Sequence, residues 1–93
     1  MTNSNGIKII HTARFLKSFK RLPKLIQEKA FERDIIFRKN QFDSRLDTHK
    51  LHGRFKDYWA YSVDYHYRVI FIFSESKIVW YYDIGLHPIY EGG

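Results

Sequence analysis

The sequence contains no cysteine, no long apolar run and no recognisable export signal. Without cysteine the chain cannot form a disulfide framework or a thiolate metal site, and it suits a reducing cytoplasm. No apolar stretch approaches the roughly 20 residues that span a bilayer. The first ten residues, MTNSNGIKII, lack the basic head and long apolar segment of a secretory signal. We therefore expect a soluble, cytoplasmic domain with no membrane partner.

Motifs for several common kinds of chemistry are also missing. There is no Ser-His-Asp order, no phosphate-binding P-loop and no glycine-rich dinucleotide motif. Of the histidines, only His49 and His52 lie close together in sequence, whereas zinc sites use three or four protein ligands. Lys50, Arg54 and Lys56 surround this pair, and their positive charge opposes a bound cation. The sequence therefore predicts neither a metal site nor a cofactor.

The chain is nevertheless well supplied with residues that build a core. Of its 93 residues, 44% are apolar and 18% are aromatic, which is enough for one small folded domain. We expect a single domain over residues 1–93, with only residues 1–6 and 92–93 frayed.

Positive charge is concentrated in the first half of the chain. The net charge is +6, with +7 in residues 1–40 and −1 in residues 41–93. A basic chain of this size is a candidate for a polyanionic partner, most simply nucleic acid. The alternative is that the charge only keeps an aromatic-rich domain soluble. Charge alone does not decide between the two.

The first 40 residues predict a strand and two helices. IKIIH is a short β-rich run, and Thr12 can cap a helix carried by TARFLKSFKRLP. Pro23 can open a second helix over residues 23–39. The apolar stripe of that helix consists of Leu25, Ile26, Ala30, Ile36 and Phe37. Phe31 and Ile35 lie on the opposite side, which favours either a partner surface or burial against a neighbouring segment.

The second half predicts an antiparallel meander. YWAYSVD, YRVIFIF and KIVWYYDIG are rich in aromatic and β-branched residues, and the short polar links DYH and SESK separate them. Two helices followed by such a meander give an α+β domain with both helices on one face of the sheet. The other face must then be open, bound by a partner, or both.

A basic loop comes just before the first strand of the meander. It holds five residues that can donate hydrogen bonds to phosphate, namely His49, Lys50, His52, Arg54 and Lys56. Three aromatic residues that could stack on an unpaired base follow it, namely Tyr58, Trp59 and Tyr61. The structural alternatives are a solvated loop for the basic residues and core or cross-strand packing for the aromatic ones.

Arg68 opens the otherwise apolar strand YRVIFIF. Alternation places it on the face of Ile70 and Ile72, where its charge must meet solvent, the carboxylate of Asp64 or an anion. A salt bridge with Asp64 is the structural alternative to phosphate binding. After the last strand, GLHPIY brings His87 close to a tyrosine, and such side chains can transfer protons at neutral pH.

Four segments in register resemble the RelE/ParE superfamily of toxin–antitoxin toxins. They are FLKSFKRLPK, THKLHG, WAYSVDYHYRVIF and YYDIGLHPIY, and together they cover nearly the whole chain. The resemblance implies a fold with an N-terminal strand, a helical hairpin and a curved antiparallel sheet. It also implies a toxin that forms a hetero-oligomer with a small, acidic, adjacently encoded antitoxin.

Candidate catalytic residues follow from the same resemblance. His49 matches the histidine of the HxLxG-type motif of YafQ-like toxins, and Arg68 matches the strand arginine of RelE-like nucleases. His87 matches the histidine of their C-terminal IGxH-like motif, and Tyr90 stands near the C-terminal aromatic residue. The resemblance implies His49 and His87 as base and acid, Arg68 as phosphate stabiliser, and Tyr90 as a base-stacking or orienting group.

Two positions depart from the pattern of the nucleases. Ser62 stands where many relatives have Arg, Lys or His, so one acid–base or phosphate contact is either missing or moved to His66. Tyr90 follows His87 by three residues, whereas a spacing of four is common for that aromatic residue. RelE-like and YafQ-like members are metal-independent ribonucleases that cut mRNA on the ribosome, whereas ParE-like members poison DNA gyrase. The resemblance therefore implies an mRNA endonuclease. The alternative is a gyrase inhibitor, or an inactive relative that binds only its antitoxin.

Overall fold

The computed structural model describes residues 6–87, which begin with a short strand and two helices. The strand β1 (Lys8–His11) leads into α1 (Ala13–Lys20) and α2 (Lys24–Lys39). Thr12 caps α1 as predicted, since its hydroxyl accepts the N–H of Phe15 at 3.0 Å. The expected fraying of both ends falls outside the described residues, apart from residue 6. None of the helices in residues 6–87 is long and apolar enough to cross a membrane.

The strands form one five-stranded sheet. After β1 they are β2 (His49–Lys50), β3 (Trp59–Ser62), β4 (Tyr67–Phe73) and β5 (Ile78–Leu86), arranged in the order β1-β5-β4-β3-β2. The last three form the predicted antiparallel meander. The first strand adds a parallel edge to this meander, because β1 pairs in parallel with β5. The helical hairpin between β1 and the rest of the sheet allows the chain to return in the same direction.

Both helices pack on one face of this sheet, as predicted. Phe15, Ala30 and Phe37 from the helices meet residues of all three meander strands there. The strand residues of this core are Tyr61, Val69, Phe71, Val79, Tyr81 and Ile84. Leu25, expected on the buried stripe, is instead 65% exposed. Leu25 lies in the first turn of α2, directly after the turn that joins the two helices.

A buried hydrogen-bonded chain lies within this helix-side core. Tyr61 donates its hydroxyl proton to the Tyr81 hydroxyl at 2.9 Å, and Tyr81 donates to Asp34 Oδ1 at 2.6 Å. Arg38 Nε donates to the other oxygen of Asp34 at 2.8 Å. Burial raises the pKa of both tyrosines above the ordinary value, most strongly for Tyr81 beside the Asp34 carboxylate. Both hydroxyls therefore stay protonated in the folded protein.

The opposite face of the sheet is partly covered by the loop between β2 and β3. Leu51, Ala60 and Ile70 form a small second cluster there. Three half-buried aromatic residues pack on this cluster, namely Phe55, Tyr58 and Tyr82. The loop thus covers the middle of this face, which we call the open face. It leaves the end near the β3–β4 turn accessible.

A bulge in β5 is anchored by α1. Tyr82 is the extra residue in the β4–β5 pairing, and it lies between Tyr81 and Asp83, which both have partners on β4. Thr12 donates its hydroxyl proton to the Tyr82 carbonyl at 2.8 Å, and Ser18 donates to Asp83 Oδ1 at 2.6 Å. These bonds fix the register of the second half of β5, which carries the chain to the open end of the sheet.

Candidate functional site

Arg68 lies on the open face, as alternation along β4 predicts. It pairs with Ser62 of β3 and Gly85 of β5, so small residues flank it on both neighbouring strands. Val69 and Phe71 of the same strand are buried in the core on the other, helix-side face, as alternation along a strand requires. A cationic side chain between two small residues leaves room above the sheet for a ligand.

The guanidinium of Arg68 is held by the β3–β4 turn. Its Nη1 donates to the main-chain carbonyls of Asp64 at 2.8 Å, Tyr65 at 3.1 Å and Tyr67 at 3.1 Å. The structural alternative, a salt bridge with the Asp64 carboxylate, does not form, because that carboxylate instead accepts the N–H groups of His66 and Tyr67, both at 2.8 Å. The turn therefore binds Arg68 through its backbone and leaves the positive charge without a carboxylate partner among residues 6–87.

One nitrogen of the same side chain is unusual. Nε of Arg68 is buried and has no hydrogen-bond partner in the described part of the chain. Leaving a buried donor unpaired costs about 1–3 kcal/mol, and such groups often mark a functional site. The cost falls on the residue that the sequence singles out for phosphate binding.

A pocket of about 440 Å³ opens beside Arg68. Its lining consists of Tyr65, His66, Arg68, Leu86 and His87. His87 is held against the β3–β4 turn because its backbone N–H donates to the His66 carbonyl at 2.6 Å. The fold thus brings two histidines and one arginine from two separate stretches of sequence, residues 65–68 and residues 86–87, to one opening. Imidazole and guanidinium groups are suited to proton transfer and anion stabilisation, respectively.

His49 lies on the same face but outside this pocket. It pairs with Ala60, which belongs to the cluster on the open face. Its Nδ1 donates to the Asp47 carbonyl at 2.8 Å, since a carbonyl can only accept, so Nε2 is available to a substrate. Two inter-strand spacings and two residues along β4 separate it from Arg68, which corresponds to about 12 Å between Cα atoms. The catalytic role of His49 remains a prediction.

The predicted RNA-binding loop is only partly on the open face. Lys50 pairs with Trp59, which packs against the helix-side core, so Lys50 lies on the opposite face from His49. His52, Arg54 and Lys56 are exposed around the short 3-10 turn Gly53–Phe55. These residues do not line the Arg68 pocket. Their contact with RNA remains a prediction, and Tyr90 lies outside the described residues.

The aromatic residues proposed to stack on bases are engaged elsewhere. Tyr61 is fully buried in the helix-side core, so it cannot stack on a base. Trp59 lies edge-on to Phe73 at 5.2 Å on the helix side, and Tyr58 lies edge-on to Tyr82 at 5.0 Å. The exposed aromatic residue at the pocket is Tyr65, which the sequence did not single out because it lies in the link DYH between strands.

Metal binding has no obvious donor set in the structure. Within residues 6–87, no group of three or more His, Cys, Asp or Glu side chains could hold a metal ion. The chemistry available at the Arg68 pocket is that of imidazole and guanidinium side chains.

A second depression lies between the two helices. It has a volume of about 300 Å³, and Phe15, Phe19 and Ala30 line it together with the more exposed Leu16 and Phe31. Asp34 and Tyr81 also line it, so its largely apolar lining contains one hydrogen-bonded polar pair. We call this depression the hairpin groove. Phe31 is 61% exposed although it contacts Phe19 edge-on at 5.5 Å.

Comparison with known proteins identifies the fold. No family model matches the sequence, and no curated protein matches it significantly. A YoeB/ParE toxin from Agrobacterium tumefaciens is 16% identical with a TM-score of 0.74, and the match covers 87% of this chain and 99% of that one.

Two toxin–antitoxin complexes contain similar chains. A chain of the E. coli DinJ-YafQ complex is 18% identical with a TM-score of 0.72, over 91% of this chain and 97% of that one. A chain of the archaeal RelE-RelB complex from Pyrococcus horikoshii OT3 has the same identity and TM-score, over 90% and 98%. The chain therefore has the RelE/ParE toxin fold that its sequence predicts.

Proposed function

We propose that the chain is the toxin of a type II toxin–antitoxin pair and cuts mRNA on the ribosome as a metal-independent endoribonuclease. The observation that carries this proposal is the pocket in which His66, Arg68 and His87 meet on the open face of a RelE/ParE fold. The similar chains in complexes named toxin–antitoxin support an antitoxin partner. The basic first half of the chain supports a polyanionic substrate.

The reaction is an internal transfer at phosphorus. A base removes the proton of the ribose 2′-OH, and the 2′-oxygen attacks the adjacent phosphorus. The bond from phosphorus to the 5′-oxygen breaks, an acid protonates that oxygen, and the products are a 2′,3′-cyclic phosphate and a 5′-hydroxyl. Water, metal and cofactor are not consumed. The site must therefore supply a base, an acid and a stabiliser for the charged phosphorane.

The pocket can supply all three groups. His66 and His87 adjoin through the backbone bond between them and line the same opening, so we propose them as the base and the acid, with His66 in place of the predicted His49. Arg68 stabilises the phosphorane from the floor, because small residues flank it on both neighbouring strands. His49, farther along the open face, contacts the RNA through Nε2, and the exposed His52, Arg54 and Lys56 contact phosphates beyond the cleaved one. Tyr90 keeps its predicted stacking or orienting role.

The nuclease proposal is tested with ribosomes, a defined mRNA and the purified chain. We expect cleavage with products that end in a 2′,3′-cyclic phosphate and a 5′-hydroxyl. His87→Ala should lower the cleavage rate about 100- to 10,000-fold, the contribution of a general acid or base. His11→Ala is the matched control, since His11 lies on the edge strand β1 and does not line this pocket. Equal rates for wild type and His87→Ala would refute the assignment.

The hairpin groove is the place where we propose that the antitoxin binds. Leu16 and Phe31, which line the groove, expose 48% and 61% of their surface, respectively. Ile35, one turn farther along α2 than Phe31, exposes 57%. Four basic side chains lie on the adjoining helix and turn, namely Lys17, Lys20, Arg21 and Lys24. An acidic amphipathic segment would bury its apolar side chains in the groove and place its carboxylates against these cations. Because such a segment orders on binding, its interface should exceed the ~1,600 Å² of a standard complex.

Co-expression with the adjacent acidic open reading frame tests the partner. Phe31→Ser should weaken the complex at least tenfold and restore toxicity, because it removes an exposed apolar anchor. Leu25→Ser is the matched control, since Leu25 is equally exposed on α2 but does not line the groove. If both variants bind the antitoxin like the wild type, the groove is not the antitoxin site.

A non-nuclease toxin is the second candidate. Ser62 next to Arg68 supplies no charge, and three carbonyls already occupy Nη1 of Arg68. Both observations favour a gyrase inhibitor or a chain that binds only its antitoxin. DNA gyrase supercoiling assays with the purified chain distinguish this candidate: inhibition of gyrase without mRNA cleavage would replace the nuclease proposal.

A further inference from the structure

Tyr65 is the most exposed large apolar side chain of the described residues, and it stands on the rim of the Arg68 pocket. Tyr65 exposes 84% of its surface to solvent. It lines the pocket together with His66 and His87. A single exposed tyrosine is ordinary on a surface. An exposed aromatic ring beside a cationic pocket is more specific, because the two together match a base and its phosphate.

The turn that carries Tyr65 is fixed by hydrogen bonds. The Asp64 carboxylate accepts the N–H groups of His66 and Tyr67, both at 2.8 Å, and Arg68 Nη1 donates to the Tyr65 carbonyl at 3.1 Å. The ring lies edge-to-face with the His66 ring at 5.1 Å and 86°. A turn whose backbone is already held in place loses little conformational entropy when a ligand stacks on the ring that it carries.

We propose that Tyr65 is a nucleobase-stacking residue that sets which nucleotide adjoins the cleaved phosphate. This inference rests on the proposed nuclease function. With the phosphate on Arg68, the sugar extends toward the rim, where the base reaches the Tyr65 ring. Aromatic side chains bind unpaired RNA bases in this way, and every base offers a face. Because stacking strengthens with base size, Tyr65 should favour a purine at this position.

Binding of a non-cleavable RNA isolates this role from catalysis. The probe is a hexanucleotide with 2′-O-methyl riboses, in purine and pyrimidine versions, titrated into the full chain. Tyr65→Ala should weaken binding on the order of 5- to 150-fold, the effect of losing one stacked base, and should remove the purine preference. Tyr65→Phe should stay within about twofold of wild type, since a phenyl ring stacks without the hydroxyl.

Two further variants make the result decisive. Tyr65→Trp should bind at least as tightly, and its fluorescence should fall on binding beyond any change in the wild type. Phe42→Ala is the matched control, since Phe42 is an exposed aromatic residue outside this pocket, and its variant should bind normally. Wild-type binding with no loss in Tyr65→Ala would overturn the role of Tyr65 alone. If the wild type binds neither probe but still cuts mRNA on the ribosome, the stacking role of Tyr65 fails and the nuclease proposal stands.

Discussion

The two faces of the sheet each hold a group of buried polar atoms, and the groups differ in how fully they are partnered. On the helix side, Tyr61, Tyr81 and Asp34 form a closed chain in which each hydroxyl donates to the next oxygen. On the open face, Nη1 of Arg68 has three acceptors while its Nε is buried without a partner among residues 6–87. Buried polar groups are nearly always hydrogen-bonded, so an exception needs a reason. We infer that the first group holds the fold and that the second serves a ligand.

Among the substitutions that test this contrast between the two faces, Arg68→Ala should have the largest effect on activity. Arg68→Ala should lower mRNA cleavage about 100- to 1,000-fold, the scale for one charge-stabilising donor. It should also loosen the β3–β4 turn, because three carbonyls lose the hydrogen bond from Arg68 Nη1. Cleavage rate and melting temperature should therefore be measured on the same sample.

Asp64→Ala is the control for the turn. It removes the carboxylate that accepts two N–H groups of the same turn but leaves the guanidinium in place. We expect a similar loss of melting temperature with a much smaller loss of cleavage. An Arg68→Ala protein that is less stable but fully active would make Arg68 a structural residue, and our contrast between the two faces would be wrong.

Tyr81→Phe should test the helix-side chain through stability. Removing this hydroxyl leaves the Tyr61 hydroxyl buried without its partner and takes one donor from Asp34. We expect a loss of about 1–3 kcal/mol in the free energy of unfolding, measured by urea denaturation, and no change in RNA binding at the Arg68 pocket. Tyr65→Phe, at an exposed position, should leave stability unchanged. A neutral Tyr81→Phe would mean that the hydrogen-bonded chain contributes nothing net.

Alkaline pH should weaken the fold through the same two tyrosines. Burial raises the pKa of Tyr61 and of Tyr81 in the folded protein, whereas both ionise near pH 10 when unfolded. Their contribution is therefore fully present below pH 10 and is lost as the pH rises, because only the unfolded state releases the protons. The free energy of unfolding should fall by about 1.4 kcal/mol per pH unit for each tyrosine. Tyr81→Phe should halve this slope, and an unchanged slope would contradict the assignment.

Acid pH should have the smallest effect, through an exposed ion pair. Hydrogen bonds from Arg45 lower the pKa of Asp43 from 3.8 to about 2. The lowered pKa means that the pair stabilises the fold above pH 4 and that this contribution is lost as the pH falls toward 2. Solvent screening keeps it small. Asp43→Asn should remove part of the fall in melting temperature between pH 5 and pH 2, with Asp57→Asn as the control. Identical profiles for Asp43→Asn and the wild type would show that the pair contributes nothing.

Local sequence patterns predict where the helices and strands lie better than they predict which residues each of them contacts. Alternation along YRVIFIF places Arg68 correctly, because Val69 and Phe71 need burial and leave only one face for the charge. The same rule cannot separate a stacking residue from a core residue in YWAYSVD, and Tyr61 belongs to the core. The strand that contains Lys50 has two residues, too few for any periodicity to fix its face.

The arrangement of the pocket depends on contacts that no local pattern contains. The bulge at Tyr82 requires Thr12 and Ser18 from α1, some 65 to 70 residues away. The meeting of His66 with His87 depends on the register that this bulge sets. A resemblance between sequences can transfer the identity of a residue such as His49, but it cannot transfer its distance from Arg68.

The parallel pairing of β1 with β5 also constrains the order in which the protein can fold. Lys8 faces Ile78 and His11 faces Tyr81, so the first strand can dock only on the last one. During synthesis, β1 and the α1–α2 hairpin emerge from the ribosome long before β5 exists, and Phe15 then lacks most of its core partners. Contacts so distant in sequence form late. The growing chain therefore exposes its hairpin before the site on the open face is assembled, and a partner that binds the hairpin could capture the protein before it is complete.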